Sequence, residues 1–236
     1  GNATRFFTVD IIPSPLRNGE GIAGLAPWLG DLLWYQALPG ISTTLVLTQI
    51  ALVGTGIVAL LTFPLISRLF VDRFCQVPGH GLLIIGRSVP EYLLAYILLQ
   101  LWGPSMLPAV VALVIHNGAI IGHLIGRQSS TLKLRPDVVS GFNCYTYEAV
   151  PRLYRSFLSF LLYRWEIIMR ETAILGILGI TTLGFYVDSA IQELRFDRAI
   201  VLIFITALLN IGVDSLARTI RWQLRLRTTP ATLELG

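Results

Sequence analysis

Charge is what this sequence has least of. Only 14% of its 236 residues are Asp, Glu, Lys or Arg, while 54% are hydrophobic and the mean hydropathy is +0.68. A soluble domain carries about a quarter charged residues. The deficit excludes an ordinary soluble domain, and the long uncharged runs mark a polytopic membrane protein. Lysine is nearly absent, with Lys133 alone in the chain. A phosphate-binding P-loop needs a Gly-rich turn that runs into Lys. Lys133 follows Leu132 and no such turn, so the chain supplies no standard ATP site of its own. The two cysteines, Cys75 and Cys144, match no metal or redox spacing and fall in segments expected in the cytoplasm, which argues against a structural disulfide. There is also no Ser-His-Asp spacing, no His-Glu-x-x-His zinc motif and no facing pair of catalytic carboxylates, which leaves little for a membrane-embedded enzyme.

What remains is hydrophobic and arranged in five runs, at about 41–66, 82–101, 107–126, 156–182 and 199–216. Each is near the ~20 residues that a helix needs to cross ~30 Å of hydrocarbon. Open strands would leave backbone groups unpaired in lipid, so the expected fold is all-α. Basic residues give the orientation. Arg68 and Arg73, then Arg127, Lys133, Arg135, Arg152 and Arg155, then Arg218, Arg221, Arg225 and Arg227 all fall on one side of a five-helix arrangement. The positive-inside rule makes that side cytoplasmic. Residues 1–40 are then an external segment, with Trp28, Trp34 and Tyr35 as an interfacial belt. Residues 41–217 form the membrane domain, and 218–236 form a cytoplasmic tail. An external start is easiest to build if a further helix precedes Gly1. The basic cytoplasmic side accounts for the pI of 9.3 without any nucleic-acid partner.

The runs are not free of ionisable groups, and such groups in a membrane helix usually face protein or a solute route. Arg87 and Glu91 stand four apart in the second run. His116, Asn117 and His123 lie in the third. Arg164, Glu166, Arg170 and Glu171 crowd eight positions of the fourth. At helical spacing Arg87 pairs with Glu91 and Glu166 with Arg170, while Arg164 and Glu171 share another face. Fixed ion pairs that orient helices and a polar solute path are both open readings for Arg87–Glu91. For the fourth run the density favours a path, with Arg170 or Arg164 offering oxyanions a planar fork of donors and Glu166 and Glu171 tempering the grip. His116 and His123, seven apart, are two ligands with no acid or Cys in their own run, so no metal site is expected. Gly118, Gly122 and Gly126 form a small-residue stripe suited to close helix packing. The longest internal break, 127–155, holds Pro136, Asp137 and Gly141, expected to bound a short helix, then Phe142, Tyr145, Tyr147 and Glu148. Exposed aromatics there favour a docking helix for a cytoplasmic partner.

Three stretches resemble the phosphonate-transport permease family within the type I ABC importer permeases: Arg87-Ser88-Val89-Pro90-Glu91, then His116-Asn117-Gly118 through Gly122, then Tyr163-Arg164-Trp165-Glu166 through Arg170-Glu171 and Leu175-Gly176-Ile177-Leu178-Gly179. The resemblance covers about residues 38–225. One departure stands out. The family's cytoplasmic signature places Gly six positions after Glu, whereas Arg135 stands six before Gly141, Asp137 is the nearest acid, and Tyr154 follows Glu148 at that distance. The resemblance implies a type I importer permease fold in a bacterial inner membrane and a second permease subunit, as a homodimer. It also implies a cytoplasmic ABC ATPase dimer that carries ATP and Mg, and a periplasmic or lipid-anchored binding protein that delivers a phosphonate-like oxyanion. The 127–155 loop would then be the ATPase-coupling loop. The competing class is an ATP-independent channel or secondary transporter, against which the lack of an evident internal repeat counts mildly.

Overall fold

The computed structural model describes residues 5, 8, 10–19, 21–134 and 141–224, and these are helical throughout their regular parts. A short turn, α1 (Ser14–Arg17), precedes α2 (Gly21–Leu32). A π-helical turn, Leu33–Ala37, joins α2 directly to α3 (Leu38–Thr62), which ends in a 3₁₀ turn at Phe63–Ile66. The first apolar run is therefore one 46-residue helix from Gly21, not a span that begins near residue 41. Such a helix is about 69 Å long, roughly twice a hydrocarbon layer, so the segment expected outside is continuous with the span itself. Pro39 breaks nothing although it lies inside this helix, because the π-helical turn just before it, Leu33–Ala37, widens the helix where the proline cannot donate.

The second apolar run is not one helix either. α4 (Arg73–Ser88) and α5 (Glu91–Trp102) meet at 92°. The cause is local: Pro90 disfavours helical backbone at Val89, which is extended at φ −77°, ψ 121°. Arg87 and Glu91 therefore do not stack on one helical face; they end one helix and begin another. Arg87 is exposed. Next come α6 (Leu107–Ser129), a π-helical turn at Cys144–Ala149, α7 (Val150–Ile174) with a 3₁₀ turn at Leu175–Leu178, then α8 (Leu183–Gln192) and α9 (Phe196–Gln223). The fourth helix thus starts earlier than residue 156 and ends before 182. The last one runs on past 217, where Arg221 sits 5.9 Å above the Tyr163 ring. Among the described residues three helices are long and apolar enough to span a membrane, and up to five spans result if each bent pair counts as one.

α6 is the central helix. The apolar stretch of α6 is 61% buried against 17% for α9, and α6 packs on α3, α4, α5 and α7. Lipid offers no hydrophobic drive for helix association, so close packing and interhelical hydrogen bonds must hold the bundle. The sequence supplies the first through small residues: Ala51, Ala95, Ala109 and Ala112 line the core with Leu47, Leu113 and Ile168. The glycine stripe serves the same end. A side chain at Gly118 would meet Val58 at 2.7 Å, and one at Gly126 would meet the Phe63 carbonyl at 2.9 Å. The stripe is thus occupied by α3 of the same chain.

The second kind of bond is clearest at Thr44. Its Oγ1 donates to the Gly40 carbonyl at 2.7 Å and accepts the Leu183 N–H at 3.1 Å, which ties the first residue of α8 to α3. Thr44→Val keeps the shape and removes the acceptor, leaving a buried N–H unmatched. A loss of about 1–3 kcal/mol is expected, read as a lower unfolding midpoint in detergent, with Thr44→Ser close to the parent. An unchanged Thr44→Val midpoint would mean that α8 is held by packing alone.

Candidate functional site

The break at Val89–Pro90 creates the site. Val89 is extended between the two helices and lies outside both ladders, so its carbonyl has no helical donor and needs another. His116, from the middle of α6, places Nδ1 3.0 Å from it. A carbonyl only accepts, so Nδ1 carries the proton. The other ring nitrogen, Nε2, then faces Glu91 Oε2 at 3.7 Å. From α7, Glu171 reaches the same place: Asn117, fully buried, donates from Nδ2 to Glu171 Oε2 at 2.8 Å and to the Leu113 carbonyl at 3.1 Å. One ligand atom each of Glu91, His116 and Glu171 lies within 4.8 Å of the others. Arg164, two turns back along α7 from Glu171, is in electrostatic reach of Glu171 and Glu91. Three helices thus bring two carboxylates, an imidazole, a carboxamide and a guanidinium together.

The expected partners of the other residues fare differently. Glu166 and Arg170 are paired with each other, and Arg170 is more than half exposed. His116 and His123 do share the face of α6 that meets α4 and α5, yet they serve different neighbours. His123 is buried, and its ring packs edge-on against His80 at 5.7 Å, within electrostatic reach of Arg87 and Arg127. The expectation that no third ligand joins a histidine counted only residues of the same run. Glu91 and Glu171 come to His116 from other helices. No spacing within one segment carries that signal; it depends on which faces the fold brings together.

The loop expected to couple to a partner is partly described. Asp137 and the short helix expected from Pro136 lie outside the described residues. Gly141 adopts φ +91°, and the chain then enters the turn that leads into α7. Phe142 and Tyr147 are exposed at 78% and 77%. Tyr145 turns inward: it stacks on Phe63 at 5.4 Å, meets Phe70 edge-on at 6.0 Å and donates its hydroxyl to the Leu60 carbonyl at 3.1 Å. Glu148 pairs with Arg152 at 3.1 Å, and Arg152 also donates to the Lys133 carbonyl. The aromatic surface is thus Phe142 and Tyr147, with Tyr145 as the pin that fastens the turn to α3.

No protein-family profile matches the chain. It is 23% identical over 227 residues to the phosphate-import permease protein PhnE of Mycolicibacterium smegmatis, covering 91% of this chain and 42% of that protein. It is also 23% identical over 142 residues to the phosphite transport system permease protein PtxC of Stutzerimonas stutzeri, covering 57% of this chain and 51% of that one. The chain thus spans about half the length, or less, of the curated relatives it matches. Among solved structures, one described as an amino acid ABC transporter with histidines superposes with a TM-score of 0.67 at 15% identity, over 85% of this chain and 97% of that one.

Proposed function

We propose that this chain, a distant homologue of phosphate- and phosphite-import permeases with the fold of an ABC transporter permease, is the membrane subunit of an ATP-driven importer for a small phosphonate-like oxyanion. In this reading it works as a homodimer in the bacterial inner membrane. A separate cytoplasmic ATPase dimer holds ATP and Mg, and a periplasmic or lipid-anchored protein delivers the cargo. The reading is carried by one combination: likeness to an importer permease along 91% of the chain, with two guanidinium groups, Arg164 and Arg170, inside α7, which counts as a membrane span together with α8. Among the described residues Arg170 is paired with Glu166 alone, and a guanidinium has five N–H donors. Donors remain for a phosphoryl oxygen, while the carboxylate limits how tightly it is held. Phe142, Tyr147 and the turn pinned by Tyr145 form the surface for the ATPase.

The test is cargo-dependent ATP hydrolysis by the complex reconstituted with its ATPase and binding protein, against a panel of methylphosphonate, phosphite and phosphate. Stimulation by at least one anion is expected, with a drop of at least tenfold in Arg170→Ala while assembly is intact. Solute movement by this chain alone, with no assembly on any ATPase, would overturn the importer reading in favour of a channel or secondary transporter.

A further inference from the structure

We propose that Glu91, His116 and Glu171 bind one divalent transition-metal ion of the Zn²⁺ or Co²⁺ kind at the junction of α5, α6 and α7. The site does not depend on what the cargo is. Nitrogen and oxygen ligands of Zn²⁺ stand ~2.0–2.2 Å from the metal, hence about 3.4 Å from one another in a tetrahedron. His116 Nε2 and Glu91 Oε2 are already 3.7 Å apart, and the whole triad spans 4.8 Å. Small rotations of two flexible Glu side chains close the rest.

The imidazole is prepared for this role. Metal-bound histidines give their second ring N–H to a carbonyl or carboxylate, which fixes the tautomer and aims the free lone pair. His116 does so through Val89. The same tautomer aims the Nε2 lone pair toward Glu91 Oε2, 3.7 Å away. The surroundings add an independent observation. Asn117 is fully buried beside the triad; its Nδ2 holds Glu171 in place, and its Oδ1 has no hydrogen-bond partner among the described residues. A metal-bound water is a donor of the kind this oxygen lacks. Glu91 and His116 retain 22% and 13% side-chain exposure, so neither ligand is sealed in the interior.

The experiment uses the untagged chain in its assembled complex, stripped with EDTA and dialysed, then titrated with Co²⁺ and Zn²⁺. The expected result is one Co²⁺ per chain with a visible d–d absorption band, displaced by Zn²⁺, and the same stoichiometry by mass spectrometry of the metal. His116→Ala and Glu171→Gln should each weaken binding at least tenfold, and Asn117→Leu, an outer-shell change, by about 10–100-fold. His80→Ala should bind as the parent does. A folded parent complex that takes up neither ion overturns the proposal. Metal retained in both His116→Ala and Glu171→Gln overturns it as well, since the ion then sits elsewhere.

Discussion

Gly184→Ala is expected to destabilise the protein by about 3 kcal/mol, the upper end of the range for overpacked interiors. A Cβ at Gly184 would overlap the Ala173 carbonyl oxygen and lie 2.9 Å from its carbon. Those atoms are backbone and cannot swing aside as a side chain would. Gly176 faces the same crossing, where an added methyl would come 2.7 Å from the Gly184 carbonyl carbon. α7 and α8 therefore meet backbone to backbone, and neither partner can grow. The matched control is Gly212→Ala in α9, where nothing lies within 4 Å of the added carbon. Thermal unfolding in detergent should separate the two by many degrees. Equal midpoints would show that the crossing opens freely, and the rigid view of it would then fail.

Arg164→Leu is expected to cost about 2 kcal/mol, less than the ~3–5 kcal/mol for breaking a fully buried pair because the guanidinium is partly exposed. The loss comes from the electrostatic interactions of Arg164 with Glu171 and Glu91, which the leucine cannot replace. Adding Glu171→Gln should return much of it, because the amide keeps the shape and removes one charge. The double-mutant cycle, run in EDTA so that bound metal contributes nothing, should give a coupling energy of about 1–2 kcal/mol. Strict additivity would mean that Arg164 and Glu171 titrate and pack independently, and that the mixed-charge cluster is a coincidence of position. Loss of cargo-stimulated ATP hydrolysis in Arg164→Leu should persist in the double variant, since a neutral pair restores stability without restoring a donor fork.

Much of the architecture is legible in hydropathy, because lipid forces apolar runs into helices of known length. The errors arise where averaging over a window hides one residue. Pro90 stands in plain view between Val89 and Glu91, yet the apolar residues around it merge two helices at 92° into one run. Asp31 and Pro39 look like the edge of a span, yet the chain passes both as helix, since the π-helical turn at Leu33–Ala37 widens the helix just ahead of the proline. Local pairs are readable: Glu166 and Arg170 meet at the spacing that predicts it. The triad is not, because Glu91, His116 and Glu171 belong to three runs, and only the packing of α5 and α7 on α6 decides which faces converge.

The length of α3 carries a mechanical consequence. Near one end its Leu60 carbonyl takes the Tyr145 hydroxyl, and toward the other Thr44 holds the first amide of α8. Sixteen positions of unbroken helix separate these fastenings, about 24 Å at 1.5 Å per residue. A helix shortens or stretches far less readily than it tilts, so the aromatic turn and α8 are riveted to opposite parts of one push-rod. A shove on the turn is then delivered across most of the membrane's thickness as displacement, with little lost to elastic give along the way.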